Sequence, residues 1–128
     1  MKYILDTHLL LWAAGNSRSL PRKVRRLLDD DSIQPVFSAA SIWEIVIKNG
    51  LGRTDFETDP RILRRQLLEN GYMELGITSE HALGVERLPP LHKDPFDRIL
   101  IAQSMVEGII LLTCDPVMAQ YPAPIQHC

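Results

Sequence analysis

Apolar residues follow two spacings along the 128-residue chain, and each spacing predicts a different kind of element. Short runs that are apolar throughout are typical of buried strands, whereas apolar residues that recur every three or four positions are typical of amphipathic helices. We predict strands at residues 2–5, 35–38, 73–77, 109–114 and 125–127. We predict helices at residues 7–15, 20–28, 41–49, 62–70, 78–88 and 95–107, with one further helical turn after Asp115-Pro116.

The residues between these segments agree with the predicted boundaries. Gly15, Gly71 and Gly108 follow helical segments, and Asp59-Pro60 and Asp94-Pro95 have the aspartate cap and first-turn proline of helix starts. Strands and helices therefore alternate, and the strands at residues 2–5 and 109–114 are almost wholly apolar. This combination predicts an α/β fold, a three-layer α/β/α sandwich around a mostly parallel sheet. No repeat or long linker divides the chain, so a single domain over residues 1–128 is expected.

The amino-acid composition indicates the class of protein. Hydrophobic residues make up 45% of the chain and charged residues 23%, as in ordinary globular proteins, and no apolar run approaches the ~20 residues of a membrane span. An acid, Asp6, comes too early for a signal peptide, so a cytoplasmic location without a membrane is expected. Cys114 ends an apolar run and is expected to be a reduced core residue. A disulfide with Cys128 stays open, although nothing in the sequence favours it.

The formal net charge of −2 is not that of a typical nucleic-acid-binding protein, but the basic residues are unevenly distributed. Residues 18–26 contain five of them: Arg18, Arg22, Lys23, Arg25 and Arg26. A second group contains Arg61, Arg64 and Arg65. Either group is the solvated face of an amphipathic helix or a track for a polyanion such as RNA, and both interpretations stay open. For the RNA interpretation, the candidate contacts are Arg22, Lys23, Arg25 and Arg26.

Four acids occupy comparable positions in the predicted fold. Asp6 and Asp115 directly follow strands, and Glu44 and Asp97 lie in the first turns of helices. Because the carboxyl ends of parallel strands meet at one edge of the sheet, we expect these side chains to lie close together. Acids that are crowded in this way repel one another unless cations neutralise them, and an all-oxygen ligand set favours Mg²⁺ or Mn²⁺ over zinc.

Each acid also has an ordinary structural explanation. Asp94 and Asp97 fit the cap and third position of a helix, Asp115 can cap a turn, and Glu44 stands four residues before Lys48. Asp6 is the hardest to explain in this way, because apolar residues follow it.

Several other polar and aromatic residues are candidates with two interpretations each. Thr113 is either a partner of a metal ligand or an ordinary strand residue, and Lys48 and Arg98 either contact phosphate or pair with nearby acids. Trp12 and Trp43 are expected in the core, with base stacking as the alternative. The four histidines have no zinc spacing, and no glycine-rich phosphate loop is present.

Four segments resemble the PIN-domain family, and among its members the VapC-type toxin ribonucleases of bacterial toxin–antitoxin pairs. They are LDTHLLLW (5–12), SAASIWEIVIKNGLGR (38–53), HALGVERLPPLHKDPFDRILIAQS (81–104) and LLTCD (111–115). The resemblance implies an α/β/α sandwich, Mg²⁺ or Mn²⁺ as cofactor, RNA as substrate, products with 5′-phosphate and 3′-hydroxyl ends, and a cognate antitoxin as protein partner. The family's catalytic and metal-binding acids map onto Asp6, Glu44, Asp97 and Asp115, with Asp94 as an auxiliary acid.

Other functions stay open from the sequence. A PIN-like fold can bind RNA without cleaving it, and a nuclease of similar architecture can act on DNA. A phospho-acceptor signalling module also places an acid after its first strand, but it needs a lysine late in the chain, and none follows Lys93. For the protein partner, the helices that start near Thr7 and Ser41 are expected to form an apolar groove. A homodimer would bring two such grooves together.

Overall fold

A computed structural model, which describes residues 1–128, has one five-stranded parallel sheet with helices on both faces. The strands are β1 (Lys2–Leu5), β2 (Gln34–Ser38), β3 (Met73–Leu75), β4 (Ile110–Thr113) and β5 (Ile125–His127). The helices are α1 (Thr7–Ala14), α2 (Arg22–Asp29), α3 (Ala39–Gly50), α4 (Pro60–Glu69), α5 (Ser79–Gly84) and α6 (Pro95–Glu107). The strands lie in the order β3-β2-β1-β4-β5, and every neighbouring pair is parallel.

Two apolar cores lie on opposite faces of this sheet. Successive residues of β1 alternate between them, so that Tyr3 and Leu5 join one core and Ile4 the other. The first core packs against α1, α2 and α4, and the second against α6. This arrangement confirms the predicted three-layer α/β/α sandwich. None of the helices combines the length and the apolar character needed to cross a membrane.

The strand order creates a crevice at one edge of the sheet. The chain moves outward from β1 through β2 to β3, then returns to place β4 on the other side of β1, where Ile4 is in register with Leu111. Ligands of open α/β sheets bind at such a reversal, outside the carboxyl ends of the strands. Asp6 follows β1 and Thr113 ends β4, so both residues lie at this reversal.

Some predicted elements are shorter in the structure. The helix predicted at residues 78–88 divides into α5 and a 3₁₀ turn over Val85–Arg87, because the chain tightens before Pro89-Pro90. The third strand ends at Leu75, and the last helical turn is a 3₁₀ turn at Met118–Gln120.

The expectation of a reduced Cys114 is wrong, because Cys114 and Cys128 form a disulfide with their Cα atoms 4.8 Å apart. The pairing of β4 with β5 brings the two residues together, and the Cys128 amide donates to the Thr113 carbonyl. Sequence spacing alone does not reveal this proximity, because it depends on where the last strand joins the sheet.

The expected core position of Trp43 is also wrong. Trp43 is 56% exposed on the outer face of α3, and its ring meets that of Phe96 edge-on with the centroids 5.0 Å apart. The face of α3 that packs inward carries Glu44 and Ile45 instead. Trp12, by contrast, is half-buried and packs against the first core, as expected.

Candidate active site

Asp6 lies at the sheet reversal and is 8% exposed. Its amide donates to the Leu112 carbonyl (3.1 Å), which continues the pairing of β1 with β4. One carboxylate oxygen caps α1 by accepting from the Leu9 amide (3.0 Å), and the other accepts from the Thr113 hydroxyl (2.5 Å). Burial raises the pKa of Asp6, and its hydrogen bonds with Thr113 and Leu9 only partly offset that effect. A charged Asp6 is therefore unfavourable unless a cation is near.

Glu44 reaches the same region from α3 and is 2% exposed. Ser38 caps this helix by accepting from the Ala40 amide (3.0 Å), so the helix starts directly at the end of β2 and its second turn points Glu44 inward. Its Oε1 atom accepts from the Thr7 hydroxyl (2.5 Å), and its Oε2 atom pairs with Lys48 Nζ (2.5 Å).

Asp94 begins α6, as the sequence predicts. Its Oδ1 atom accepts from the Phe96 amide (2.8 Å) and caps the helix, and its Oδ2 atom pairs with Lys48 Nζ (3.1 Å). Although burial alone raises the pKa of Asp94, the hydrogen bond and charge of Lys48 outweigh it and lower that pKa. Lys48 therefore connects Glu44 on α3 with Asp94 on α6.

Asp97 is the acid common to two groups of potential ligands. It lies with Glu44 and Asp94 in one group, and with His92 and Asp115 in the other, and within each group the ligand atoms are within 4.8 Å of one another. Burial raises the pKa of Asp97 to about 8, with further contributions from the negative charges of Asp94, Glu44 and Asp6. This shift indicates a concentration of negative charge that the nearby side chains do not neutralise.

His92 completes the second group, and the sequence analysis did not assign it this role. Its Nε2 atom lies 3.0 Å from Asp97 Oδ2 and 3.2 Å from Asp115 Oδ2. Its Nδ1 atom accepts from the Asp94 amide (3.1 Å), which leaves the ring proton on Nε2 and directs it at the two acids. His92 therefore donates a hydrogen bond to Asp115 and contacts Asp97 closely, so that it connects the two acids. Its position two residues before the Asp94-Pro95 helix start was the only local signal.

The ligand chemistry of this cluster fits a hard divalent cation. Asp6, Glu44, Asp97 and Asp115 offer carboxylate oxygens, whereas the single imidazole is oriented as a donor. Oxygen ligands suit Mg²⁺ and Mn²⁺, and a cation would relieve the repulsion that raises the pKa of Asp97. The four acids are therefore the residues that would hold the metal, directly or through water, with Asp94 as an auxiliary acid beside them.

The auxiliary residues predicted from the sequence separate into two groups. Thr113 and Lys48 contact the acids, Thr113 through Asp6 and Lys48 through Glu44 and Asp94. The Arg98 guanidinium instead donates to the carbonyl of Pro89 (3.0 Å) and to the Tyr121 hydroxyl (3.2 Å). Arg98 thus anchors the loop before α6, and it pairs with none of the acids of the cluster.

The basic residues of α2 also differ from one another. Arg22, Lys23 and Arg26 are exposed and line a shallow groove with Asp30 and Gln126. Arg25 is half-buried and donates to Asn16 Oδ1 (2.9 Å) and to the Ser17 carbonyl (3.2 Å). Its charge therefore stabilises the loop before α2, while the other three side chains face solvent.

The apolar residues of α1 pack against the first core instead of forming the expected groove with α3. Leu9 and Leu10 are buried in the first core, and Leu11 and Trp12 are half-buried against it. An open groove of about 510 Å³ runs between α3 and α4, and it is only partly apolar, because Asn49, Arg61 and Arg64 line it together with Ile42 and Val46. The short α1 helix packs fully against the sheet, because α2 and α4 cover the same face.

The fold resembles solved structures of VapBC. DNA-bound VapBC from Salmonella typhimurium aligns with a TM-score of 0.70 at 14% identity, covering 99% of this chain and 98% of that chain. VapBC2 from Rickettsia felis, bound to a DNA fragment from its promoter, gives a TM-score of 0.69 at 13% identity with the same coverage. VapBC-1 from nontypeable Haemophilus influenzae gives 0.65 at 16% identity, again over 99% and 98% of the two chains. These similarities show the fold.

No curated protein sequence matches the chain. The family model for the PIN domain, however, matches residues 3–124. That range includes the sheet reversal and all the acids of the cluster. The chain belongs to the PIN-domain family.

Proposed function

We propose that this protein is a metal-dependent endoribonuclease that hydrolyses RNA phosphodiester bonds. We further propose that it is the VapC-type toxin of a cytoplasmic toxin–antitoxin pair, held inactive by a cognate antitoxin. One observation carries the nuclease proposal: Asp97 lies between two groups of acidic side chains at the sheet reversal, and its pKa is raised to about 8. A cluster of carboxylates with unbalanced charge is the environment that a divalent cation stabilises.

The side chains of the cluster and its surroundings would have three roles: holding the metal, orienting its ligands and positioning Lys48. Asp6, Glu44, Asp97 and Asp115 would hold Mg²⁺ or Mn²⁺, which supplies activation of water and stabilisation of charge on the phosphate. Thr113 and Thr7 would orient Asp6 and Glu44 through their hydroxyl hydrogen bonds, and His92 would hold Asp97 beside Asp115. Asp94 would position Lys48 while capping α6.

The partner proposal rests on the fold similarity to VapBC structures over nearly the whole of both chains. An antitoxin that supplies an Arg side chain would meet a cluster of carboxylates suited to its fork of donors. A homodimer is proposed as well, and the molar mass of the purified protein in solution tests it directly.

The nuclease proposal is tested with Asp6→Asn and Asp97→Asn, assayed on a labelled single-stranded RNA and on DNA of the same sequence. With Mn²⁺ present, the parent should cleave RNA, and both variants should lose cleavage because each lacks a charged ligand. Asp31→Asn, which removes an exposed acid outside the cluster, is the matched control and should cleave like the parent.

The alternatives give different results in the same assay. Cleavage of DNA in preference to RNA would indicate a DNA-directed nuclease. RNA binding by the parent without turnover would indicate a binding module. Full RNA cleavage by Asp6→Asn would show that the acid cluster is not the catalytic site.

A further inference from the structure

Lys48 is the one lysine whose ammonium group contacts the acid cluster. Its Nζ atom lies 2.5 Å from Glu44 Oε2 and 3.1 Å from Asp94 Oδ2, and its side chain is 16% exposed. Lys93, the next residue to Asp94 in sequence, is exposed and pairs with no acid. Lys48 thus pairs with Glu44 at the i,i+4 spacing of one helix, whereas its contact with Asp94 spans 46 residues and depends on the packing of α3 against α6.

The surroundings of Lys48 hold it in this position. Its ammonium lies 4.9 Å from the ring centroid of Phe56 and 5.7 Å from that of Phe96, distances at which an aromatic ring attracts a cation. Phe56 is fully buried, so this side of the contact is rigid. Two carboxylates and two rings thus converge on one ammonium group, and they come from three separate parts of the chain: α3, the turn at Phe56 and the start of α6.

The charge distribution around Asp97 is asymmetric. On the Glu44–Asp94 side, a cationic group already connects the two acids. On the Asp115 side, the contacts are the imidazole of His92 and the Val117 amide (2.8 Å), and Asp6 has only the Thr113 hydroxyl and the Leu9 amide. One half of the cluster thus has a lysine between its acids, and the other half has an imidazole, a hydroxyl and backbone amides.

We propose that Lys48 is a built-in cation that occupies the Glu44–Asp94 half of the cluster, so that this protein binds one divalent ion instead of two. Two-metal nuclease sites place their ions about 3.5–4 Å apart, and an ammonium held between two of the acids excludes a second ion by occupancy and by charge. The inference rests on the proposed metal-dependent function and adds the number of ions to it.

The test compares the number of Mn²⁺ ions bound per chain, measured by isothermal titration at constant pH and ionic strength. Lys48→Met keeps the length and apolar stem of the side chain but removes its charge, and Lys48→Gln is a second neutral variant. Lys93→Met is the matched control, because it removes an exposed lysine from the same neighbourhood. Circular dichroism checks that each variant is folded.

The expected result is one Mn²⁺ for the parent and the control, and two for Lys48→Met and Lys48→Gln. Electron paramagnetic resonance should show a spin-coupled Mn²⁺ pair only in the neutral variants. Lys48→Arg keeps the charge and should bind one ion, which separates an effect of charge from an effect of side-chain volume.

The outcomes separate this inference from the proposed function. Two ions in the parent, or one ion in both neutral variants, would overturn the role of Lys48 and leave the metal-dependent nuclease intact. A parent that binds no Mn²⁺ would overturn both proposals. If Lys48 instead serves as a phosphate contact, the neutral variants should bind a single-stranded RNA more weakly and still bind one ion, which is also an overturning result.

Discussion

The positions of several side chains in the cluster can be predicted from local sequence patterns, but their protonation depends on the groups that surround them in the fold. Asp94 caps α6, as its short-range pattern predicts, and Asp6 also caps α1, which the apolar residues after it did not indicate. The pKa of Asp97, by contrast, is raised by burial and by acids from β1, α3 and the start of α6. Two predictions at the residue scale concern Asp97 and its partner His92.

Asp97→Asn should change how stability depends on pH in the metal-free protein. The pKa of Asp97 is about 8 in the folded state and near 3.8 when unfolded, so the folded state holds an extra proton between these values. Stability of the parent should therefore fall as pH rises through this window, and the asparagine should remove that contribution. Melting temperatures in EDTA from pH 5 to pH 8 should show a growing advantage of the variant.

Asp31→Asn is the control for this measurement and should track the parent at every pH, because Asp31 is exposed. A difference between Asp97→Asn and the parent that stays constant from pH 5 to pH 8 would contradict the assigned pKa.

His92→Ala should weaken metal binding without removing a ligand. Loss of the donor that holds Asp97 beside Asp115 should let the two carboxylates separate, and loss of such a supporting group typically lowers metal affinity by about 10–100-fold. Titration with Mn²⁺ measures the effect. His127→Ala removes an exposed imidazole whose only hydrogen bond is to the Cys114 carbonyl, and should leave affinity unchanged. Equal affinities in the two variants would exclude the positioning role.

At the scale of elements, the basic residues of α2 differ in role: one stabilises the preceding loop, and the others face solvent. Val24 is fully buried and anchors the helix in the first core, and Arg25 holds the preceding loop through Asn16 and Ser17. Arg22, Lys23 and Arg26 remain exposed on the other side. Of the four basic residues on α2 that were candidate RNA contacts, three are therefore available to a polyanion.

The variant Arg22→Ala/Arg26→Ala should weaken RNA binding and flatten its salt dependence. Each lost phosphate contact on a single strand should lower the slope of log affinity against log salt by about 0.7. Binding of a labelled RNA by the Asp97→Asn background, measured at several salt concentrations, gives the slope without cleavage. Lys2→Ala/Arg87→Ala removes the same charge from exposed positions elsewhere and is the control. An unchanged slope would leave α2 as an ordinary solvated helix.

For the molecule as a whole, one helix connects the acid cluster with exposed apolar residues on the protein surface. The helix that carries Glu44 also exposes Trp43, Val46 and Ile47, by 56%, 50% and 42%. Neighbouring exposed apolar side chains of this kind often mark a binding surface. The proposed antitoxin and the proposed homodimer are both protein partners of the type that such a surface accommodates.

The proposed antitoxin should inhibit RNA cleavage in a stoichiometric manner. Titrating the product of the adjacent reading frame into the cleavage assay should end activity near one equivalent, because tight binding at nanomolar affinity leaves little free enzyme. An unrelated protein of similar size is the control. Undiminished cleavage in the presence of saturating, demonstrably bound partner would contradict inhibition of the site, although the pairing would stand.

The sequence by itself determined the elements and most of the acid positions. Asp6 and Asp115 follow apolar strands and Asp97 follows a capped helix start, and these relations depend only on residues close in sequence. The same local patterns were enough to predict a parallel sheet covered on both faces, because strands and helices alternate along the chain.

Only the tertiary structure decided which groups meet. Lys48 reaches Asp94 across 46 residues, His92 bridges Asp97 and Asp115, and Cys114 joins Cys128, which follows the neighbouring strand. The exposure of Trp43 and the contact of Arg98 with a loop carbonyl also depend on how the elements pack. The periodicity of apolar residues shows which face of a helix or strand is buried. The partner of each face depends on the packing of elements that are distant in sequence. The charges and contacts of the site arise from that packing.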